Sequence, residues 1–227
     1  MKRITAVILA TVLLLFPSAV SVSAVSGNVF LRNRTAGRRV ALTFDDGPHP
    51  IYTPQILKIL DEFDVTATFF VVGQNVDNYG AAFKAILDSG CEIGNHTYTH
   101  KNVSQMSESE IRREIEATEE AVARVCDRRL CLLRPPEGSL GAPLERVSVE
   151  KGYDVILWSI DTLDWAHTPP EKISSFVVSM LDRGDIILMH DYTSHGNSAC
   201  VALRRIIPKL LELGYEFVRV SELIGEK

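Results

Sequence analysis

The sequence has little with which to grip nucleic acid. Of its 227 residues, 24 are Lys or Arg and 29 are Asp or Glu, a formal net charge of −5. No basic stripe runs along it. The only basic cluster, RNRTAGRR at residues 32–39, reads as a solvated segment or a weak surface-adhesion patch. The chain also lacks an apolar run long enough for a membrane span: Ile4 to Phe16 falls short of the ~20 residues a bilayer needs. With a basic start before that run and small residues after it, residues 1–24 read as a secretory signal peptide cleaved after Ala24. The alternative is a retained anchor, the one route by which a membrane becomes a partner. No CxxC spacing appears, which removes zinc-knuckle folds. Four cysteines, Cys91, Cys126, Cys131 and Cys200, leave disulfides and free thiols both open; Cys126 and Cys131 are near enough to close a small loop. Repeats, low-complexity tracts and internal linkers are missing too. Asn-x-Ser/Thr sites at Asn33, Asn95 and Asn102 read as chance occurrences. What remains is a short segment, 25–38, and one domain over 39–227.

Within that domain, short apolar runs alternate with helical patterns. Runs at 39–44, 67–72, 92–96, 130–134, 154–160, 185–190 and 215–220 are rich in Val, Ile and Phe and do not alternate in polarity, as expected of strands covered on both faces. TPQILKILDEF begins with Thr53 as a cap and Pro54 at the first helical position. SESEIRREIEATEEAVARV opens with Ser-x-x-Glu, a capping box. NSACVALRRIIPKLLELG ends in a helix-stopping Gly and carries Pro208, expected to kink or break it. About seven strand–helix alternations predict a parallel α/β architecture, either an open sheet or a barrel.

In such folds the active groups lie at the carboxyl ends of the strands. Asp45 and Asp46, His96 and His100, Arg134, Asp161 and Asp164, and His190 all fall at or just beyond those ends. HTYTH (96–100) places two imidazoles four apart, where one helical turn would aim both at one metal. Alone that spacing is weak. With one carboxylate added it becomes a three-ligand set with an open position for water. The adjacent acids of TFDDGP then divide their labour: one binds the metal, and the other remains a base beside it. A sharp Gly-Pro turn helps both side chains reach one site, since neighbours on an extended backbone point apart.

Five motifs in one order, TFDDG (43–47), HTYTH (96–100), RPPEG (134–138), DTLDW (161–165) and LMH (188–190), give the chain its resemblance to the polysaccharide deacetylase family, carbohydrate esterase family four, with its NodB-like domain. The resemblance implies an irregular, incomplete (β/α) barrel with about seven parallel strands. It implies that Asp46, His96 and His100 hold a divalent metal, usually zinc. It further implies that Asp45 is the general base, oriented by Arg134, and that His190 is the general acid, held by Asp164. The backbone N–H of residue 137 would face the oxyanion, and Trp165 would wall the sugar pocket.

One position departs from the family pattern: Glu137 stands where many members have Tyr. The backbone contact survives that change, while the side chain's role does not carry over; Glu137 contacts the sugar or faces solvent. His49 and His167 match no ligand position, and His195 is only a possible substrate contact. Asp161 supports Arg134 or caps a turn. The expected function is a secreted or wall-associated, monomeric, metal-dependent N-deacetylase of glycans that contain N-acetylglucosamine, either peptidoglycan or chitin-type oligosaccharides. The alternatives are an O-deacetylase of acetyl-xylan and a catalytically inactive glycan-binding module, against which the filled motif positions argue. No separate carbohydrate-binding module is visible, so specificity falls to the loops.

Overall fold

A computed structural model describes residues 28–192 and 198–225. The signal-like segment and His195 lie outside the described residues. The strands are β1 (Val29–Phe30), β2 (Arg39–Asp45), β3 (Thr68–Val71), β4 (Glu92–Asn95), β5 (Leu132–Leu133), β6 (Asp154–Ile156), β7 (Ile160–Asp161), β8 (Ile186–His190) and β9 (Glu216–Phe217). Between them run α1 (Tyr52–Glu62), α2 (Gly73–Asn78), α3 (Gly80–Asp88), α4 (Glu108–Ala123), α5 (Ala142–Lys151), α6 (Pro170–Met180), α7 (Ser198–Glu212) and α8 (Val220–Ile224). The sheet order is β1-β6-β5-β4-β3-β2-β8-β7, with β9 beside β2, and every pairing of named strands is parallel.

That order forces the sheet to curl. β6 and β7 lie near opposite ends of it, yet only residues 157–159 join them. Those residues bridge the gap: Leu157 N–H donates to the Phe30 carbonyl at one edge, and Ser159 N–H donates to the Ile186 carbonyl at the other. The result is an incomplete barrel. The apolar run 154–160, which reads as one strand, is therefore two short strands with an irregular crossing between them. β1 is a further difference from the sequence reading, because the segment before residue 39 contributes an edge strand. Arg32 follows it and pairs with the buried Asp185.

Strand periodicity sorts the side chains. On β2, Val40, Leu42 and Phe44 face outward into the main core, where they meet the helices. Ala41 faces the barrel interior, in a smaller cluster with Phe70, Ile156, Ile186 and α8 residues Val220 and Leu223. Two and four residues further along that inner face come Thr43 and Asp45. β8 follows the same rule: Ile187 and Met189 pack outward, while Ile186, Leu188 and His190 line the interior. Asp45 and His190 are register partners at the ends of adjacent strands. The alternation that builds the core thus delivers both groups to one rim.

Three local expectations need correction. Thr53 lies inside α1 and does not cap it; its hydroxyl accepts from the His49 N–H and donates to Asp191. HTYTH is a loop and not a helical turn, because Thr97 (φ 65°) and His100 (φ 55°) adopt left-handed backbone conformations. α7 continues through Pro208, so of the two expectations there the break is excluded; burial of Ile206, Ile207 and Leu210 around it offsets the missing hydrogen bond. Ser107 and Glu110 do form the capping box of α4. All four cysteines are free thiols: Cys91 is buried and Cys131 is exposed. Asn95 is fully buried and donates to the Ile115 carbonyl, so it offers no glycosylation site. Among the described residues, no helix is long and apolar enough to cross a membrane.

Candidate active site

The site is a cleft of about 510 Å³ at the carboxyl ends of the strands. Asp45, Asp46, His96, His100 and His190 line one part of it, and Glu137, Trp158, Asp161, Trp165 and Leu188 line the rest. Asp46 has φ 75°, so the backbone turns left-handed at the second acid itself, before Gly47-Pro48. That turn brings both carboxylates to the cleft. The Asn75 side chain fixes it by donating to the Asp46 carbonyl at 2.7 Å.

Asp46, His96 and His100 converge, with one ligand atom from each lying within 4.8 Å of the others. Asp46 Oδ1 is 3.0 Å from His100 Nε2 and 3.5 Å from His96 Nε2. This set fits a divalent cation. His96 Nδ1 lies 2.7 Å from the Arg134 carbonyl oxygen. A carbonyl only accepts, so Nδ1 carries the proton and Nε2 presents its lone pair towards Asp46. Asp46 Oδ1 is buried without a well-directed hydrogen bond. Burial alone would push the Asp46 carboxyl up, but His100 and His96 outweigh it and hold the group well below the usual range. His100 is raised in turn, chiefly by Asp46.

Asp45 faces the same centre with Oδ2 3.6 Å from His96 Nε2. Its Oδ1 accepts from Arg134 Nη1 at 2.7 Å. Arg134 is fully buried, and burial lowers its pKa against the opposing pull of Asp45. Its other hydrogen bonds go to Thr43 Oγ1 and to the carbonyls of Ile156 and Leu157, where β6 breaks off and the ladder leaves acceptors over. The guanidinium also stacks 4.0 Å above the Phe70 ring. Phe70 fits because β4 carries Gly94, where a Cβ would come within 2.5 Å of that ring.

At the end of β8, next to Asp45 in register, His190 donates twice to Asp164, from the backbone N–H and from Nδ1, each at 2.8 Å. Burial by itself would lower the His190 pKa. The Asp164 hydrogen bond and charge, with smaller contributions from Asp45 and Asp46, raise it to about 9. Trp165 is 52% exposed at the cleft mouth. Glu137 (φ 58°) lines the cleft, and its carboxylate accepts from the Asn102 side chain in the loop beyond His100. Asp161 accepts from the Leu163 N–H, which makes it a turn residue and not a partner of Arg134. Neither His49 nor His167 lines the cleft.

Other contributors were not visible in the sequence reading. Glu114 on α4 clamps the HTYTH loop: Oε2 accepts from the N–H groups of Tyr98 (3.0 Å) and Thr99 (2.8 Å), and Oε1 accepts from the Thr99 hydroxyl (2.8 Å). The N–H groups of Gly73 and Gln74 hold the same loop by its carbonyls. Trp158 enters the cleft from the irregular crossing. Asp191 is fully buried, and burial pushes its carboxyl up to about 7 against the pull of the Thr53 hydroxyl. A Cβ on Gly47 would sit 2.0 Å from Asp191 Oδ2, so only glycine fits the turn there. Adjacency to His190 is the one sequence signal for Asp191; nothing in the sequence singles out Glu114 from the other acidic residues of α4.

The chain is similar to known proteins. A family model described as polysaccharide deacetylase matches residues 32–156, more than half of the chain. The chain belongs to the polysaccharide deacetylase family. It is 38% identical over 190 residues to a peptidoglycan-N-acetylglucosamine deacetylase of Bacillus cereus, covering 83% of this chain and 89% of that one. To a chitooligosaccharide deacetylase of Bradyrhizobium it is 33% identical over 198 residues, covering 82% and 90%. On this kinship the chain is a polysaccharide N-deacetylase, a hydrolase of carbon–nitrogen amide bonds. Its fold also matches, at 33% identity and a TM-score of 0.83, a family-four pseudoenzyme from Bacillus anthracis, covering 89% of this chain and 71% of that one.

Proposed function

We propose that the chain is an exported, metal-dependent N-deacetylase of glycans containing N-acetylglucosamine, either peptidoglycan or chitin-type oligosaccharides. One observation carries this reading: a three-ligand set shares a single cleft with Asp45, which is paired with Arg134, and with His190, which is paired with Asp164. The relatives' substrates support the glycan class, and the signal-like start of the sequence supports export to the medium or the wall.

An acetamide resists hydrolysis because its carbonyl is a weak electrophile and its amine a poor leaving group. Asp46, His96 and His100 would hold a divalent ion, zinc on the family resemblance, which supplies Lewis acidity to the acetyl carbonyl and to attacking water. Arg134 occupies Oδ1 of Asp45, leaving Oδ2 to accept the proton of water as it attacks. The N–H of residue 137 is placed by resemblance to donate to the developing oxyanion. As the C–N bond breaks, His190 donates its Nε2 proton to the leaving amine. Asp164 holds Nδ1–H and stabilises the imidazolium, so the acid is charged and ready at neutral pH. Acetate and a free amino sugar leave.

Acetate release from peptidoglycan, chitooligosaccharides and acetyl-xylan, measured after chelation and with defined metals added back, tests the reading. Chelator-sensitive release from the first two is expected. Release confined to acetyl-xylan would make the chain an O-deacetylase, and no release with any metal would leave a glycan-binding module.

A further inference from the structure

We propose that a column of three aromatic rings at the rim of the cleft forms an outer sugar subsite, in which the exposed ring of Tyr192 carries a pyranose ring of the same glycan chain. This inference rests on the deacetylase reading above and extends it to how a polymer is held away from the reacting unit.

The position follows from the strands. His49 and Tyr52 come just after β2, and Tyr192 comes just after β8. These strands are neighbours, with Asp45 opposite His190, so both loops leave the sheet at the catalytic rim. There the rings meet. The His49 ring stacks on Tyr52, with centroids 4.7 Å apart and planes 18° off parallel. It also stacks on Tyr192, at 4.8 Å and 15°. Two rings at those spacings cannot share one face of the imidazole, so His49 is the middle of the column and, among the described residues, Tyr192 is an end. None of the three rings lines the central cleft, which leaves them as a separate surface beside it.

The column is rigid. His49 Nδ1 accepts from the backbone N–H groups of Ile51 and Tyr52, which locks the ring. The His49 N–H donates to Thr53, and Thr53 donates to the buried Asp191, immediately before Tyr192. One hydrogen-bonded chain therefore ties the middle of the stack to the residue just before Tyr192. A stack that served only to fill a core would be covered, but Tyr192 is 42% exposed. Tyr79, tilted against His49 at 6.3 Å, is 37% exposed. Beside Tyr79 lies a shallow hollow of about 360 Å³, lined also by Pro50, Pro54 and Asn78.

An exposed, pre-ordered aromatic face suits the C–H face of a neutral pyranose, because it adds contact area without side-chain ordering. Continuity with the catalytic rim identifies the occupant as a more distant unit of the chain being deacetylated.

The test compares N-acetylglucosamine oligomers from dimer to hexamer. In Tyr192→Ala, the ratio of kcat/KM for hexamer to that for dimer should fall about three- to tenfold, while Tyr192→Phe, which keeps the ring, should hold the ratio. Calorimetry of hexamer binding to an Asp45→Asn protein, with and without Tyr192→Ala, reads the same contact without turnover, and weaker binding is expected in the double variant. An unchanged ratio together with unchanged hexamer affinity would overturn the subsite. If the wild-type chain releases no acetate, the deacetylase reading has failed; the calorimetric arm then decides the subsite alone, and absent or ring-independent hexamer binding would overturn it.

Discussion

Arg134 and Asp45 form a buried ion pair, Nη1 to Oδ1 at 2.7 Å, between residues 89 apart in sequence. The pair belongs at once to the fold and to the site. Arg134 gathers the loose carbonyls where β6 ends, and the same guanidinium leaves Asp45 with one committed oxygen and one free. A buried charge needs several partners to be tolerable, and Arg134 has four.

The two adjacent acids should separate by function. Asp45→Asn keeps an acceptor for Arg134 but cannot take a proton. It should retain metal while turnover falls about 10²–10⁴-fold. Metal content and initial acetate-release rates, measured on one preparation, check this. Near-normal turnover would remove Asp45 as the base.

Loss of a ligand should show in metal content first. Asp46→Asn, His96→Ala and His100→Ala each leave two strong donors, too few to hold zinc tightly. Equilibrium dialysis against a chelator should find weak or no retention. Stoichiometric metal in the His96→Ala/His100→Ala protein would refute the site.

His190 owes its high pKa to Asp164. A group whose folded-state value is raised remains protonated, and so able to act as an acid, until pH passes that value, about 9 here. Asp164→Asn removes the charge and the fixed acceptor. The alkaline limb of the kcat–pH profile should move to lower pH, with kcat down by about 10²-fold or more. An unmoved limb would show that another group sets it.

Glu114 touches none of the proposed ligands, yet it sets the loop that carries them. Glu114→Ala frees three donors and should weaken metal affinity about 10–100-fold, as outer partners of metal sites commonly do. Glu114→Gln keeps one acceptor and should fall between. Competition with a chromophoric chelator measures both. Lower thermal stability with unaltered metal affinity would mean that the clamp is only structural.

Glu137 brings a carboxylate into the cleft beside His100. Like charges repel in a partly desolvated site, and salt screens the repulsion. N-acetylmuramic acid residues should therefore be poorer targets than neutral N-acetylglucosamine residues. Glu137→Gln retains an oxygen for Asn102 and the backbone N–H while removing the charge. It should narrow the preference, most at low ionic strength. An unchanged ratio of kcat/KM for the two sugars would show that the charge has no part in selection.

Much of this molecule is local and therefore readable from sequence. Apolar runs at strand length mark β2, β3, β4 and β8 because both faces of a parallel sheet are buried. Ser107 and Glu110 mark the start of α4 because a capping box closes within one turn. The residues at strand ends could be named because parallel strands deliver their carboxyl ends to one rim. Other features needed the third dimension. The run 154–160 divides because it must cross from one edge of a curled sheet to the other, a demand made by strand order and not by its own residues. HTYTH is bent into a loop by Glu114 and by the N–H groups of Gly73 and Gln74, from elements that sequence spacing does not connect. The different surroundings of Asp45 and Asp46 are set by the left-handed turn at Asp46 and by the reach of Arg134 across the barrel. Period and propensity act between neighbours; register, curl and the partner of a buried charge are settled only when distant segments compete for the same space.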